Sequence, residues 1–197
     1  MHHLVHLLIA LLLSAHALFA HAQPGGVTAP REAAQFDFLI GQWEIELAPK
    51  ANGLAAMVHG SSKLLGTWKA WRAFDGFGVE DELRVIDGSG NPATLAHAQR
   101  IFDVKTKRWL INSLDVYRAR FNSGTAQWQD GEMRVIGNGG GSATTPDGKP
   151  LLTRSRFFDI TPERFRMTQD RSIDEGKSWE DGVLTVTAKR VAAKAAR

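Results

Sequence analysis

From Gly41 onward, hydrophobic and polar residues alternate with a period of two along most of the chain. Trp43, Ile45 and Leu47 alternate with polar or acidic residues, which is the pattern of a strand with one buried face. The same alternation predicts nine later strands, at residues 61–75, 78–87, 94–104, 108–114, 125–129, 132–137, 151–160, 164–171 and 179–190. The pattern therefore predicts an all-β protein.

Turn-forming residues separate these segments. Asp75-Gly76, Asp87-Gly88 and Asp130-Gly131 each interrupt a strand-like run. Many short strands joined by tight turns, with no helical pattern between them, favour an antiparallel barrel or sandwich. Because closure removes unpaired edge strands, we predict a single antiparallel β-barrel of about eight to ten strands.

A short helix is predicted ahead of the first strand. Residues 30–39 place Pro30 in the first turn and Glu32 near the N-terminal end, where the helix dipole favours an acidic side chain. We predict that the barrel domain spans residues 33–191 and that a basic tail follows at 192–197.

The first 22 residues have the pattern of a signal peptide. Residues 4–20 are largely apolar, and Ala20-His21-Ala22 supplies small residues for cleavage after Ala22. The segment before them carries histidines but no Lys or Arg, so an N-terminal membrane anchor remains an alternative. Residues 23–32 are predicted to be a flexible mature N-terminus, and no later segment is apolar enough to span a bilayer. We expect a secreted or periplasmic protein.

The composition narrows the chemistry. The chain has 197 residues, of which 43% are hydrophobic and 23% charged, as is typical of soluble globular proteins. Its net charge of +3 is not concentrated in any basic run, so no nucleic-acid partner is expected. Cysteine is absent, and only His59 and His97 lie beyond the predicted leader. We therefore expect no metal site and no cofactor.

The junction between the predicted helix and the first strand carries a recognisable motif. Residues 36–43, Phe-Asp-Phe-Leu-Ile-Gly-Gln-Trp, resemble the Gly-x-Trp element that opens lipocalin and calycin barrels. In that family the tryptophan closes the barrel base and packs against an arginine of the last strand. The resemblance implies a structural role for Gly41, Trp43 and Arg190, with Lys189 as the alternative partner. A guanidinium stacked on an indole contributes about 0.5–2 kcal/mol when partly desolvated.

A longer series of motifs extends this resemblance. Residues 36–43 are followed by Gly-Phe-Gly-Val-Glu-Asp-Glu at 76–82, Phe-Asp-x5-Trp at 102–109 and Ser-x-Asp-x-Gly-Lys-Ser-Trp at 172–179. This order resembles an uncharacterised bacterial domain-of-unknown-function family that is often exported and has a lipocalin-like (calycin) β-barrel. The resemblance covers about residues 33–191. It implies a fold and brings no established activity.

The last of these motifs also matches the Asp-box hairpins of sialidase propellers. Asp174 can accept hydrogen bonds from turn amides, Gly176 can adopt a positive φ, and Trp179 can pack beneath the turn. A propeller needs several copies, and the chain has one. We predict a structural hairpin formed by Ser172, Asp174, Gly176 and Trp179.

Alternation also predicts which side chains face the barrel interior. The candidates for a ligand pocket are Trp68, Arg72, Phe74, Asp81, Leu83, His97, Trp109, Phe165, Met167 and Gln169. Arg72 and Asp81 fall in line with apolar neighbours, which is costly unless they pair with each other or with a ligand. A register slip that places them outside, or a buried structural ion pair, is the alternative. His97 is a haem ligand, a general base or a half-buried strand histidine.

These features favour one function and leave two alternatives open. An interior rich in tryptophan, without an identifiable catalytic set, favours the binding of a small hydrophobic or amphipathic molecule, unless the same side chains fill the core. The first alternative is an enzyme, an isomerase or hydrolase, that uses Asp81, Arg72 or His97 in the cavity. The second is an interaction protein of the cell envelope.

Overall fold

The computed structural model of the chain describes residues 28–50, 63–138 and 151–192. The predicted leader at 1–22 lies outside these residues, as do positions 23–27 of the predicted flexible segment and 193–197 of the basic tail. His59 and the glycine-rich segment 139–150 also lie outside them.

Ten antiparallel strands form a closed barrel. They are β1 (Gly41–Pro49), β2 (Leu64–Ala73), β3 (Gly78–Ile86), β4 (Pro92–Asp103), β5 (Arg108–Asp115), β6 (Arg120–Gln129), β7 (Glu132–Asn138), β8 (Leu152–Phe158), β9 (Arg164–Ser172) and β10 (Glu180–Arg190). Each strand pairs with its neighbour in sequence, and β10 pairs with β1 to close the sheet. The predicted all-β class and antiparallel barrel are confirmed.

The start of β6 is the main difference from the predicted strands. The strand begins at Arg120, whereas the prediction began at residue 125. Asn122, Ser123 and Gly124 are residues that favour turns, and they hide the alternation in the first half of the strand. This half of β6 contributes to the cavity described below.

The predicted N-terminal helix is a 3-10 helix, Arg31–Leu39, and not an α-helix. Its buried residues, Ala33, Phe36 and Leu39, are spaced three apart, so they form one stripe at the 3-10 period of three residues per turn. The ring of Phe36 meets the Trp109 ring edge-on, with 4.8 Å between the centroids. The ring of Phe38 lies 5.7 Å from that of Phe165. The helix therefore fills one end of the barrel, here called the plugged end.

Trp43 and Arg190 close the plugged end. They are paired residues on β1 and β10, and the Arg190 guanidinium carbon lies 4.1 Å from the centroid of the Trp43 ring. Arg190 also donates hydrogen bonds to the carbonyl of Ile40, at 2.8 Å, and to that of Pro162. Gly41 has a φ of +128°, and a Cβ there would collide with Nη1 of Arg190. Arg190, and not the exposed Lys189, is the partner of the tryptophan.

The opposite end of the barrel, here called the cavity end, carries the turns at residues 87–91 and 116–119 and the hairpin at 173–179. The described segments on either side of residues 51–62 and of residues 139–150 also end there, because the strands alternate in direction. Within the described residues, no helix is both long and apolar enough to cross a bilayer.

Replacing Arg190 with methionine is expected to lower the free energy of unfolding by about 1–3 kcal/mol, because the stacking on Trp43 and two hydrogen bonds to carbonyls are lost. Urea denaturation followed by tryptophan fluorescence measures the change.

The control is Lys189→Met on the same strand, which is expected to stay within about 0.5 kcal/mol of wild type, as for most exposed positions. Equal effects of the two variants would contradict the assignment of Arg190 as the closing residue.

Candidate functional site

The barrel encloses a cavity of about 420 Å³ between the plugged end and the cavity end. All ten strands contribute to its lining, together with Arg118 from the turn after β5. The cavity therefore lies along the barrel axis and not between elements on the surface.

One wall of the cavity is apolar. It is formed by β10, β1, β2 and β3, and its side chains include Leu184, Val186, Ile45, Leu47, Leu64 and Val85. Ile45 and Val186 alternate with polar residues on the outer face of the barrel, as the sequence pattern predicts for a half-buried strand. This wall can make dispersion contacts with a ligand and remove the apolar surface of that ligand from water.

The facing wall, from β4 to β9, carries most of the uncharged polar side chains of the lining, among apolar ones such as Ile111, Val135 and Phe157. Its side chains include Thr94, Ser113, Asn122, Thr153, Ser155 and Gln169. Gln169 donates a hydrogen bond to the hydroxyl of Ser155 at 3.1 Å. Ser113 and Asn122 are paired neighbours on β5 and β6, and neither side chain has a protein partner within the described part of the chain. This wall therefore keeps hydrogen-bonding capacity for a ligand.

A buried charged pair lies at the floor of the cavity. The Trp68 indole donates to Oδ1 of Asp81 at 2.7 Å, and Arg100 forms an ion pair with Oδ2 of the same carboxylate. Asp81 is only 2% exposed and Arg100 only 7%. The Arg100 guanidinium lies over the ring of Phe36 in the plug, 5.2 Å from its centroid. Burial lowers the pKa of Arg100 to about 10, so the side chain stays protonated at neutral pH.

A second charged pair lies at the cavity end. Asp115 ends β5 and is 6% exposed, and Arg118 donates a hydrogen bond from Nη1 to its Oδ2 at 2.8 Å. Both residues line the cavity. The two carboxylates of the lining are thus each balanced by an arginine, and the lining carries no net charge.

The structure places Trp68, Asp81, Leu83, Met167 and Gln169 in the cavity lining. These are five of the ten predicted pocket residues. They lie on β2, β3 and β9, where the alternation continues without a break to the cavity.

Trp109 and Phe165 face inward but do not line the cavity. Trp109 is fully buried beside Phe102 and donates its indole N–H to Gln35 in the plug at 3.0 Å. Phe165 is also fully buried, with its ring 4.8 Å from that of Trp43. Both predictions gave the correct face of the strand, but these residues pack the plugged end below the cavity.

Arg72 and Phe74 also lie outside the cavity. Arg72 donates to the carbonyl of Ala33 at 2.7 Å and pairs with Asp37, so it attaches β2 to the 3-10 helix and does not meet Asp81. Phe74 is 39% exposed and lies in a short turn at a φ of +53°. The strand ends at Ala73, so the alternation used to predict its face no longer applies.

His97 lies on the outer face of β4. Its side chain is 40% exposed, its ring lies 5.8 Å from that of Trp71, and Nε2 is 3.9 Å from Oε1 of Glu80. The inward positions of β4 are Thr94, Ala96, Ala98 and Arg100. His97 is therefore not among the residues that line the cavity. Among the described residues, no three His, Cys, Asp or Glu side chains gather as a metal site would require.

The hairpin after β9 has a dense set of turn contacts. Asp174 accepts hydrogen bonds from the Ser178 amide at 2.9 Å, from the Ser178 hydroxyl at 2.7 Å and from the Ser172 hydroxyl at 2.8 Å. Gly176 has a φ of +88°, and the Trp179 indole donates to its carbonyl at 3.1 Å. The bonds from Ser178 and Ser172 lower the pKa of Asp174 to about 2. All of these contacts join residues of the hairpin to one another, so they stabilise the turn.

Sequence reasoning missed Arg100, Asp115, Arg118 and the polar side chains of β6. Phe102 and the two alanines before Arg100, Ala96 and Ala98, lie on the same face of β4 as Arg100. This alternation indicates that the Arg100 side chain points inward. Asp115 borders the turn at residues 116–119 and Arg118 lies within it; the turn carries no alternation, so the pattern held no signal for them.

Comparison with known proteins supports the fold alone. No protein-family model matches the sequence, and comparison with curated proteins gives no match. Rv2717c from M. tuberculosis has 12% sequence identity and a TM-score of 0.55, with 84% of this chain and 100% of that chain covered. EF1p2_mFAP2b bound to DFHBI has 10% identity and a TM-score of 0.39, with 81% and 98% covered. The likeness to Rv2717c supports a barrel of this kind, whereas lipocalin barrels have eight strands.

The carboxyl group of Asp174 is expected to titrate with a midpoint near pH 2 in the folded protein. Because its pKa is depressed, the stabilisation from the hairpin bonds is present above the unfolded value, near 3.9, and is lost as the pH falls through the folded value. Carbon-detected NMR of the carboxyl resonances measures the midpoint.

The variant Asp174→Asn identifies the resonance by its disappearance, and the Ser178 amide shift is expected to follow the same titration. A midpoint at the ordinary aspartate value would contradict the hydrogen bonding described for the hairpin.

Proposed function

We propose that this protein binds a small amphipathic molecule inside the barrel. The observation that carries the proposal is the cavity of about 420 Å³, with an apolar wall that faces a wall of mixed apolar and polar side chains. Ligand sites in proteins commonly have volumes of about 300–1,000 Å³, with mostly apolar linings and a few polar groups that orient the ligand. The molecule that fits this lining has an apolar body and polar atoms along one side.

Side-chain size supports binding over core filling. The large buried rings, Trp43, Trp109 and Phe165, lie at the plugged end. Small residues on the strands above them, including Ala98 and Gly124, leave the space open. A ten-stranded barrel is also wider than an eight-stranded one. In an eight-stranded barrel the interior is just wide enough for side chains to fill it.

The polar side chains of Ser113 and Asn122 also support binding of a ligand. A void left by imperfect packing is normally apolar, whereas a ligand site carries a few polar groups that orient the ligand. Here Ser113 and Asn122 face the cavity without protein partners in the described part of the chain. A ligand that covers these half-buried groups must hydrogen-bond to them to avoid leaving them unpaired, which favours amphipathic ligands over pure hydrocarbons.

The positions of the proposed catalytic residues favour binding over catalysis. Asp81 is paired with Arg100 and with the Trp68 indole, Arg72 binds the 3-10 helix, and His97 lies outside the barrel. These three side chains do not converge on one reacting atom. An envelope interaction protein would in turn have a filled barrel, whereas this one has a lined cavity.

Binding of the neutral dye N-phenyl-1-naphthylamine tests the proposal. We expect its emission to rise saturably at micromolar protein, and the fluorescence of Trp68 in the lining to be quenched in parallel. The variant Ser113→Phe, which fills the cavity, is expected to weaken binding at least tenfold.

The matched control is Asn112→Phe, one residue away on the outer face of β5, which is expected to bind the dye as wild type does. The proposal fails if the dye does not bind, or if Ser113→Phe binds it as tightly as Asn112→Phe does.

We also propose that the protein is exported and belongs to the exported lipocalin-like group that its motifs resemble. The apolar run at residues 4–20 and the small residues before Gln23 support a cleaved leader. Expression of the whole chain with a C-terminal tag in a Gram-negative host is expected to give periplasmic protein that begins at Gln23, as read by N-terminal sequencing. A product that starts at Met1 and stays with the membrane would show an anchor instead.

A further inference from the structure

Arg100 lines the cavity and also contacts the plug. It pairs in register with Ile111 on β5, and its guanidinium lies over Phe36 on the plugged side. Its carboxylate partner is held from two directions, because Asp81 Oδ1 accepts from the Trp68 indole while Oδ2 pairs with Arg100. These contacts hold the guanidinium at the floor of the cavity.

This guanidinium retains unused donors. An arginine side chain has five N–H bonds, and the ion pair with Asp81 involves Nη1. Within the described part of the chain, neither Nε nor Nη2 has a protein acceptor. Arg100 is one of the lining residues, which places its side chain within reach of a ligand in the cavity.

The net charge of the Asp81–Arg100 pair determines which kind of hydrogen-bond acceptor can bind at the floor of the cavity. Asp81 already neutralises Arg100, so a ligand carboxylate would leave a net negative charge beside two almost fully buried side chains. A carbonyl oxygen accepts the same hydrogen bonds without that cost, and its bond to a charged donor is stronger than one to a neutral donor. The protonated state of Arg100 at neutral pH keeps these donors available.

We propose that Arg100 is the ligand-recognising group of the cavity and that it takes the neutral oxygen of a ketone, quinone, ester or amide at the leading end of an apolar molecule. This inference rests on the proposed ligand-binding function and gives its ligand a chemical class. Asp81 and Trp68 act as positioning residues that hold the guanidinium, and the apolar wall contacts the body of the ligand.

Three rigid probes of one shape test the inference. They are 9-fluorenone, which has a carbonyl oxygen, fluorene, which lacks it, and fluorene-9-carboxylate, and each is used to displace N-phenyl-1-naphthylamine. Wild-type protein is expected to bind the ketone at least ~10-fold more tightly than the hydrocarbon, the range for a hydrogen bond to a charged group. The carboxylate is expected to bind more weakly than the ketone.

The double variant Asp81→Asn/Arg100→Met removes both charges together, so no buried charge is left unpaired, and the amide oxygen of the new asparagine still accepts from Trp68. In this variant the preference for the ketone over the hydrocarbon is expected to fall towards one. The matched control is Glu82→Gln/Arg84→Met, which removes an ion pair on the outer face of β3 and is expected to keep the preference. The carbonyl stretching frequency of bound, carbon-13-labelled fluorenone supplies a readout that needs no variant. It is expected to lie below its value in an apolar solvent.

Several outcomes would overturn this inference while leaving the proposed function in place. These are equal affinities for ketone and hydrocarbon, tighter binding of the carboxylate, an unshifted carbonyl frequency, a preference that survives in the double variant, or failure of all three probes to displace a bound dye. If the dye itself does not bind, the proposed function fails and this inference fails with it. Should the double variant not fold, the wild-type affinities and the carbonyl frequency decide the question.

Discussion

The pairing of β1 with β10 is the constraint on which the rest of the structure depends. Trp43 on the first strand lies under the guanidinium of Arg190 on the last, and Arg190 also binds the carbonyl of Ile40 where the 3-10 helix meets β1. One side chain therefore joins the plug, the first strand and the last strand. Without this closure the sheet has two free edges, and the interior is no longer separated from solvent.

A closed ten-stranded barrel has a wide interior, and this interior is filled differently at its two ends. Aromatic rings and the buried stripe of the 3-10 helix fill the plugged end. Nearer the cavity end, alanine, glycine and serine leave space beside the two charged pairs. Asp81 and Arg100 lie at the boundary between the two regions, with Phe36 on one side and the cavity on the other. A pair of opposite charges can lie so deep because each group satisfies the other.

The sequence predicted the barrel well because its information is local. Period-two alternation and turn residues define strands, and Trp43, Ile45 and Leu47 are buried on one face as expected. The candidate site was only partly predictable, because it depends on which strands meet. Asp81 was placed inward, but its partner depends on the register of β3 with β4. The pattern alone suggested Arg72, and the structure has Arg100 instead. Whether an inward ring, such as that of Trp109, lines a cavity or packs against a plug also depends on parts of the chain far away in sequence.

The span of the closing contacts bears on how the chain folds. The hydrogen bond from Arg190 to Ile40 joins residues 150 apart, so the barrel cannot be completed before its last strand is made. Folds dominated by such long-range contacts form slowly. During that interval β1 has a free edge, and an unpaired strand readily joins another chain. Glu44 and Glu46 point outward from this strand, and their charges oppose that association until β10 pairs with β1.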